Sequence, residues 1–351
     1  MKKIFCIAFM FCMFSCSLWA QDPMYSHAFM TPVYLNPGAT GLSDYDFRVS
    51  AAFRRQWLLV PSGMQYFTLA ADKYLFKHNG GIGLMANSEK EGFVNRTAVY
   101  GTLAKLLCFG SHRLSIGIQG GIINSRVDYS KLWFADQITS QGIISNLPSQ
   151  VAPDINAKKW LPDFATGLVW IHNSGVMLGG SLHHLTQPDE SFTNAEESKL
   201  PMRLTLTARL PWVAGVNIWD DDVLWIPGAI YSLQNKNKTL SLGCEVKTHY
   251  FNFGLWYRNN LNFRRSDAVF FTVTIDNFLN PLDSENRNNL RTGFAYDFTS
   301  NGVGSTRTAG STEGAMSWEH LFNEDATSDN RCKLTGRDAL PCPSNLMKRV
   351  Y

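Results

Sequence analysis

The sequence predicts an all-β fold, a transmembrane, antiparallel, up-and-down β-barrel of about fourteen strands. Three observations point there. Segments of about ten residues alternate apolar with polar or small side chains along most of the chain. Charged residues make up only 17% of it, below the roughly 25% of soluble domains. Mean hydropathy is −0.14, near neutral because a barrel confines its apolar residues to alternate positions.

The cleanest segment is Ser111 to Asn124, SHRLSIGIQGGIIN. Leu114, Ile116, Ile118, Gly120 and Ile122 share one face, and Ser115, Gly117, Gln119 and Gly121 the other. Glycine is poor in ordinary strands. Small residues at alternate positions suit a curved wall whose far side is crowded or wet.

In chain order, Met1 to Ala20 reads as a secretory signal, with Lys2 and Lys3 as its charged head, an apolar core from Ile4 to Phe14, and an exit before Gln21. A lipidated Cys16 is a weaker reading, because Met13-Phe14-Ser15 is a poor approach to it. No later stretch approaches the ~20 apolar residues of a spanning helix. Such an exported chain is either soluble outside or a barrel. Gln21 to Gly41 is rich in Pro, Asn and Gly without a period, and reads as an ordered segment lying against or inside the barrel.

The expected wall then runs Tyr45–Trp57, Gly63–Leu75, Gly80–Ser88, Arg96–Cys108, His112–Asn124, Leu161–His172, Gly175–Leu185, Met202–Val213, Val223–Leu233, Lys238–Thr248, Phe251–Arg258, Asp267–Asp276, Asn289–Thr299 and Gly314–Phe322. Leu204, Leu206, Ala208, Leu210 and Trp212 oppose Arg203, Thr205, Thr207 and Arg209, the separation a lipid face and a polar lumen require. Tyr25, Trp57, Tyr74, Trp170, Trp212, Trp225, Trp256 and Trp318 are candidates for interfacial girdles. Connections should alternate between long outer loops and short periplasmic turns. Ser125–Trp160 and Thr186–Pro201 fit as outer loops, whereas Ala214–Asp222 and Asn277–Asn288 are long for turns.

The domain reading is therefore a signal over 1–20, an N-terminal periplasmic or plug-like segment over 21–44, a barrel over 45–322 and a periplasmic tail over 323–351. Of seven cysteines, three leave with the signal. Cys108 and Cys244 read as small apolar wall residues. Cys332 and Cys342, in a polar tail, are a candidate disulfide for an oxidising compartment, and metal binding is the weaker reading.

Catalytic and cofactor motifs are missing from the sequence. Gly80-Gly81-Ile82-Gly83 lies in a strand, with no helix start to cradle phosphate. There is no GxSxG elbow. His183-His184 reads as one wall and one lumen residue, because neighbours on a strand face opposite sides. Asp220-Asp221-Asp222 lacks the spaced oxygens of a calcium loop. The formal charge of +3 and the lack of a basic run argue against nucleic acid. No enzyme activity, cofactor or metal is expected. A secretion or surface-attachment component and a diffusion channel remain.

Several segments resemble one family. Gln21-Asp22-Pro23, then Asn36-Pro37, look like its opening, and Arg54-Arg55-Gln56-Trp57 like its aromatic strand end. Tyr129 to Leu132 with Phe134 to Gln137 resemble its mid-barrel loop. Asp163-Phe164 and Tyr296-Asp297-Phe298 resemble two of its later strands. The family is PorP/SprF of the type IX secretion system. The resemblance implies a non-enzymatic barrel in the cell outer membrane, contacting outer-membrane lipid. It implies partners among periplasmic ring or peptidoglycan-linked machine components, and exported cargo with C-terminal sorting domains, including gliding-motility adhesins. The alternative is a porin- or FadL-like channel for small solutes.

Overall fold

A computed structural model of the chain describes residues 22–60, 63–128, 133–139, 142–143, 158–192, 198–218, 221–248, 251–261, 266–276, 287–299 and 308–322. The signal, Gln21, Tyr129 to Leu132, Cys332, Cys342 and the tail lie outside these residues.

The strands are β1 (Phe47–Gln56), β2 (Met64–Leu75), β3 (Gly80–Glu91), β4 (Val94–Phe109), β5 (His112–Val127), β6 (Ile138–Thr139), β7 (Gly142–Ile143), β8 (Lys158–His172) and β9 (Met177–His183). They continue as β10 (Arg203–Arg209), β11 (Trp212–Ile218), β12 (Asp221–Gln234), β13 (Asn237–Lys247), β14 (Phe251–Asn260), β15 (Ser266–Ile275), β16 (Asn288–Thr299) and β17 (Ser311–His320). β6 and β7 form a separate small hairpin in the connection between β5 and β8. All the others pair antiparallel in one sheet, which closes where β1 meets β17 and β10 meets β12. Closure matters because an open edge in lipid would leave amides unsatisfied at several kcal/mol each.

β10 and β11 are one wall strand interrupted at Leu210 and Pro211, so the barrel has 14 strands. Both halves pair with β12, Arg209 opposite Gly228 and Trp212 opposite Trp225. The interruption faces Pro227 of β12, and two prolines at one place remove two ladder donors. Leu210 still donates its N–H to the Pro227 carbonyl at 2.9 Å. The wall therefore continues through most of what the sequence suggests is a long Ala214–Asp222 turn, leaving 219–220 between β11 and β12.

The faces are inverted relative to a soluble protein. On β5, Ile116, Ile118 and Ile122 point out and are exposed, while Ser115 and Gln119 point in and are buried. On β14, Phe253 and Leu255 point out, and Arg258 points in. Apolar outside and charged inside is stable where lipid, not water, surrounds the wall. Among the described residues no helix is long and apolar enough to cross a membrane. Trp212 and Trp225 face outward as a cross-strand pair, as girdle residues should. Tyr25, Tyr74 and Trp256 do not: all three are buried in the interior. Trp256 stacks on Phe270 at 6.0 Å over the inner face, filling space that Gly228 and Gly243 leave open.

The connections 128–157, 184–202 and 300–310 leave one rim of the barrel, the long-loop end, while 276–287, also long, leaves the other. Turns such as 110–111 and 173–176 leave the opposite, short-turn end.

Candidate functional site

The interior of the barrel is occupied by the chain's own N-terminal segment, residues 22–42. The segment starts at the long-loop end, where the Asp22 N–H donates to Gln234 Oε1 at 2.9 Å. It winds through the lumen with a single helical turn at Pro32–Leu35, and leaves at the short-turn end beside Gly81. Three clusters of buried side chains hold it.

The first cluster lies at the long-loop end. His184 Nε2 donates to Asp22 Oδ2 at 2.7 Å, and its Nδ1 donates to Asp163 Oδ2 at 2.8 Å. A ring that donates from both nitrogens carries the imidazolium charge. Burial opposes that charge, but the two carboxylates outweigh it and push the His184 pKa up to about 10. Arg203 pairs with Asp22 at 3.0 Å and lies over the Tyr34 ring. The Tyr100 hydroxyl donates to Asp163 at 3.0 Å. Beside them Arg96 joins Glu89 at 2.8 Å to Glu190 at 2.7 Å. Glu190 belongs to the 184–202 connection, which thereby folds inward over the lumen, with Leu200 buried.

The second cluster surrounds Arg54. Its guanidinium meets Asp297 at 2.6 Å and Glu313 at 3.2 Å, and donates to Ser26 Oγ at 2.8 Å. Ser26 Oγ donates to Asp297 at 2.6 Å, and the N–H groups of Ser26 and His27 both donate to Glu313 at 2.7 Å. Arg258 approaches Asp297 at 3.4 Å from the other side. Charges this deeply buried are tolerated when paired and hydrogen-bonded, and of the Arg54 guanidinium nitrogens Nε alone has no partner among the described residues.

The third cluster seats the exit of the segment. Asn36 donates through its amide to the carbonyls of Leu168 and Gly180. Arg48 grips Asp72 with two nitrogens, at 3.0 and 2.8 Å, and donates to the carbonyls of Leu42 and Ala39. Gly41 N–H completes the contact on Asp72 at 2.7 Å. Gly117 and Gly167 are small because the segment touches the wall there: a Cβ on either would run into Pro37 or Asn36.

The residues singled out in the sequence divide by face. Asp22, Pro23, Asn36, Pro37, Asp163 and Asp297 all lie in the interior, but in different places: Asp22 and Asp163 meet at His184, Asp297 meets Ser26, and Asn36 and Pro37 sit against the wall glycines at the exit. Phe164 and Phe298 point outward. The Tyr296 hydroxyl donates to the Ala309 carbonyl at 2.9 Å, and Gln56 and Trp57 sit half-buried where β1 ends. The Trp57 N–H donates to Gly310 O at 2.9 Å from a backbone with φ of 60°. His183 and His184 do not take opposite faces, for both are buried in the interior. β9 ends at His183, and a φ of 57° at His184 turns the next side chain inward. Cys108 is disulfide-bonded, to a partner outside the described residues, and so is not a plain wall residue. Cys244 is free and half-buried. Asp220 and the side chains of Asp221 and Asp222 lie outside the described residues. Among the described residues no group of three or more His, Cys, Asp or Glu is placed to hold a metal ion.

Arg96, Glu190 and Glu313 are charged partners that motif reading misses, and Arg54 and Arg203, named there for other reasons, are not foreseen as anchors of the internal segment. Their signal is a charged residue at an inward position of an alternating strand, visible for Arg54, Arg203 and Glu313 but not for Glu190 in a loop.

The profile of the family described as type IX secretion system membrane protein PorP/SprF matches residues 17–316. The chain belongs to that family. No curated protein matches the sequence. Solved structures similar to this PorP/SprF protein include the Acinetobacter baumannii outer membrane protein Omp33, at 7% identity and a TM-score of 0.40, covering 79% of this chain and 98% of that one. The CymD monoaromatic hydrocarbon channel is similar at 10% identity and a TM-score of 0.47, covering 84% and 93%. The Ralstonia pickettii toluene transporter TbuX is similar at 9% identity and a TM-score of 0.44, covering 84% and 94%. At this distance they carry no inference about what this PorP/SprF chain binds or passes.

Proposed function

We propose that this chain serves type IX secretion in the outer membrane by binding, not by conducting solutes or by catalysis. The observation that carries the reading is the segment 22–42, which fills the lumen and is anchored to wall strands on several sides by buried ion pairs. A pore for small solutes gains nothing from so many charged contacts along its axis. A rigid, closed cylinder suits a platform whose two rims meet other proteins. The periplasmic rim and the tail 323–351 face ring or peptidoglycan-linked components. The long-loop rim faces exported surface proteins, gliding adhesins among them, on their way out.

Two measurements on the tagged, full-length protein test this. Gently solubilised outer membrane should yield other secretion components or cargo in an affinity purification, identified by mass spectrometry. The same protein in planar bilayers should show no steady solute conductance. Recovery of the barrel alone together with stable open-channel currents would favour the channel reading and sink this one.

A further inference from the structure

One row of the outer wall carries charge that the chain itself does not answer. At the long-loop end, the strand register places Arg55 of β1 beside Gln65 of β2, and Gln65 beside Lys90 of β3. Lys90 stands beside Asn95 of β4, Asn95 beside Arg126 of β5, and Arg126 beside Lys158 of β8. The four basic side chains are exposed. Neighbouring strands lie about 4.8 Å apart, so the row covers about 24 Å of wall. The next row inward along the same face holds Phe53, Phe67 and Trp160, all exposed. The row therefore borders the apolar band that meets lipid.

No outward position of these six strands holds Asp or Glu. Glu89 and Glu91 of β3 point inward, to Arg96 and to the Tyr66 hydroxyl. Asp128, past the end of β5, has contacts of its own. Among the described residues none of the four cations pairs with a carboxylate. Arg126 and Lys158 are direct cross-strand neighbours, and like charges set opposite each other destabilise a sheet. The Lys158 ammonium lies 5.3 Å over the Trp160 ring, at the level where an aromatic girdle meets headgroups. Outward lysines at the short-turn end differ. Lys73 lies 4.0 Å from Asp46 and over the Phe322 ring, and Lys105 donates to the His78 carbonyl.

We infer that this row is a docking belt for the phosphate groups of membrane lipid in the leaflet at the long-loop rim, centred on Arg126 and Lys158. A lipid whose chains lie against Phe53, Phe67 or Trp160 carries its headgroup at the height of the row. A phosphate accepts two parallel hydrogen bonds from a guanidinium and attracts an ammonium as a point charge. The amides of Gln65 and Asn95 add neutral donors between the cations. One phosphate between Arg126 and Lys158 replaces a repulsion by two attractions. The belt covers β1 to β5 and β8, so it orders lipid along one side of the barrel. The inference rests on the outer face meeting lipid, not on the proposed secretion role, and its readout does not depend on partner capture.

The test uses the protein purified from outer membrane in a neutral maltoside detergent, with and without added phosphatidic acid, whose headgroup is a bare phosphate. The lipid should raise the parent's melting temperature by several degrees and stay bound in native mass spectrometry. Arg126→Gln combined with Lys158→Gln should lose both effects. In detergent alone the same double variant should melt no lower than the parent, because a like-charge pair is gone. Arg55→Gln with Lys90→Gln should weaken the lipid response in the same direction, and decides the matter should the first pair fail to fold. Lys73→Gln with Lys105→Gln, at the opposite rim, should leave the response intact. An equal response in the parent and both belt variants would overturn the inference. So would an equal rise with inorganic phosphate at matched concentration, which would make the row a site for soluble anions. A parent indifferent to phosphatidic acid would overturn it in favour of an acidic protein surface.

Discussion

Asn36 of the internal segment occupies the space that a side chain on Gly167 of β8 would need. From there its amide nitrogen donates to Leu168 O at 3.0 Å and Gly180 O at 3.1 Å, tying the segment to two neighbouring wall strands. Gly167→Val should therefore push the segment off the wall. The expected loss is about 1–3 kcal/mol, the usual cost of overpacking. Gly101, with nothing within 4 Å of an added Cβ, is the control: Gly101→Ala should stay within about 0.5 kcal/mol of the parent. Denaturant unfolding from lipid vesicles reads both.

Arg54→Met leaves Asp297 and Glu313 buried with one guanidinium fewer between them. Breaking a buried pair from one side typically costs about 3–5 kcal/mol. Arg258, at 3.4 Å from Asp297, softens the loss there, whereas among the described residues Glu313 keeps the two backbone N–H donors of Ser26 and His27. Adding Glu313→Gln to Arg54→Met should recover part of the stability. A double variant no more stable than the single one would show that the charge on Glu313 is not the problem.

His184 makes stability depend on pH. Its pKa rises from 6.5 in the free state to about 10 when folded, so the folded protein holds the proton more tightly. The stability this group contributes is complete below about pH 6.5 and drains away as pH rises through about 10. Melting temperatures between pH 6.5 and 10 should fall for the parent. The fall should be shallower for His184→Gln, which cannot titrate. Parallel curves for the two proteins would remove His184 from the account.

Ile118 is 60% exposed on the outer face of β5. Ile118→Lys should cost about 2–4 kcal/mol in a bilayer if the residue lies at mid-depth, measured by reversible unfolding from vesicles. In a water-facing wall the same change would be nearly silent, so the result reports directly on the solvent that this face meets.

All fourteen wall segments were legible in the sequence, because a period of two with one face apolar leaves few other interpretations. Their interior was half legible. Gly117 pointed to an inner side either crowded or wet, and nothing local chose between them or named Pro37 as the neighbour. Residues 22–42 have no period, and their shape is set by contacts distant in the chain, such as Ser26 with Glu313 across 287 positions. Sequence alone ends this wall strand at Val213, because Gly215 and three aspartates nearby read as a turn, which hid the rest of β11. Here the ladder to β12 overrode local preference. The inward position of His184 depended on a single positive φ, which alternation along a strand does not foresee.

The stretch of chain that runs from one mouth to the other passes directly into β1, and β1 is the strand on which β17 closes the ring. Arg54, with one hand on β16 and β17 and the other on Ser26, sits at that seam. A single guanidinium thereby ties contents to container at the place where first and last strands meet.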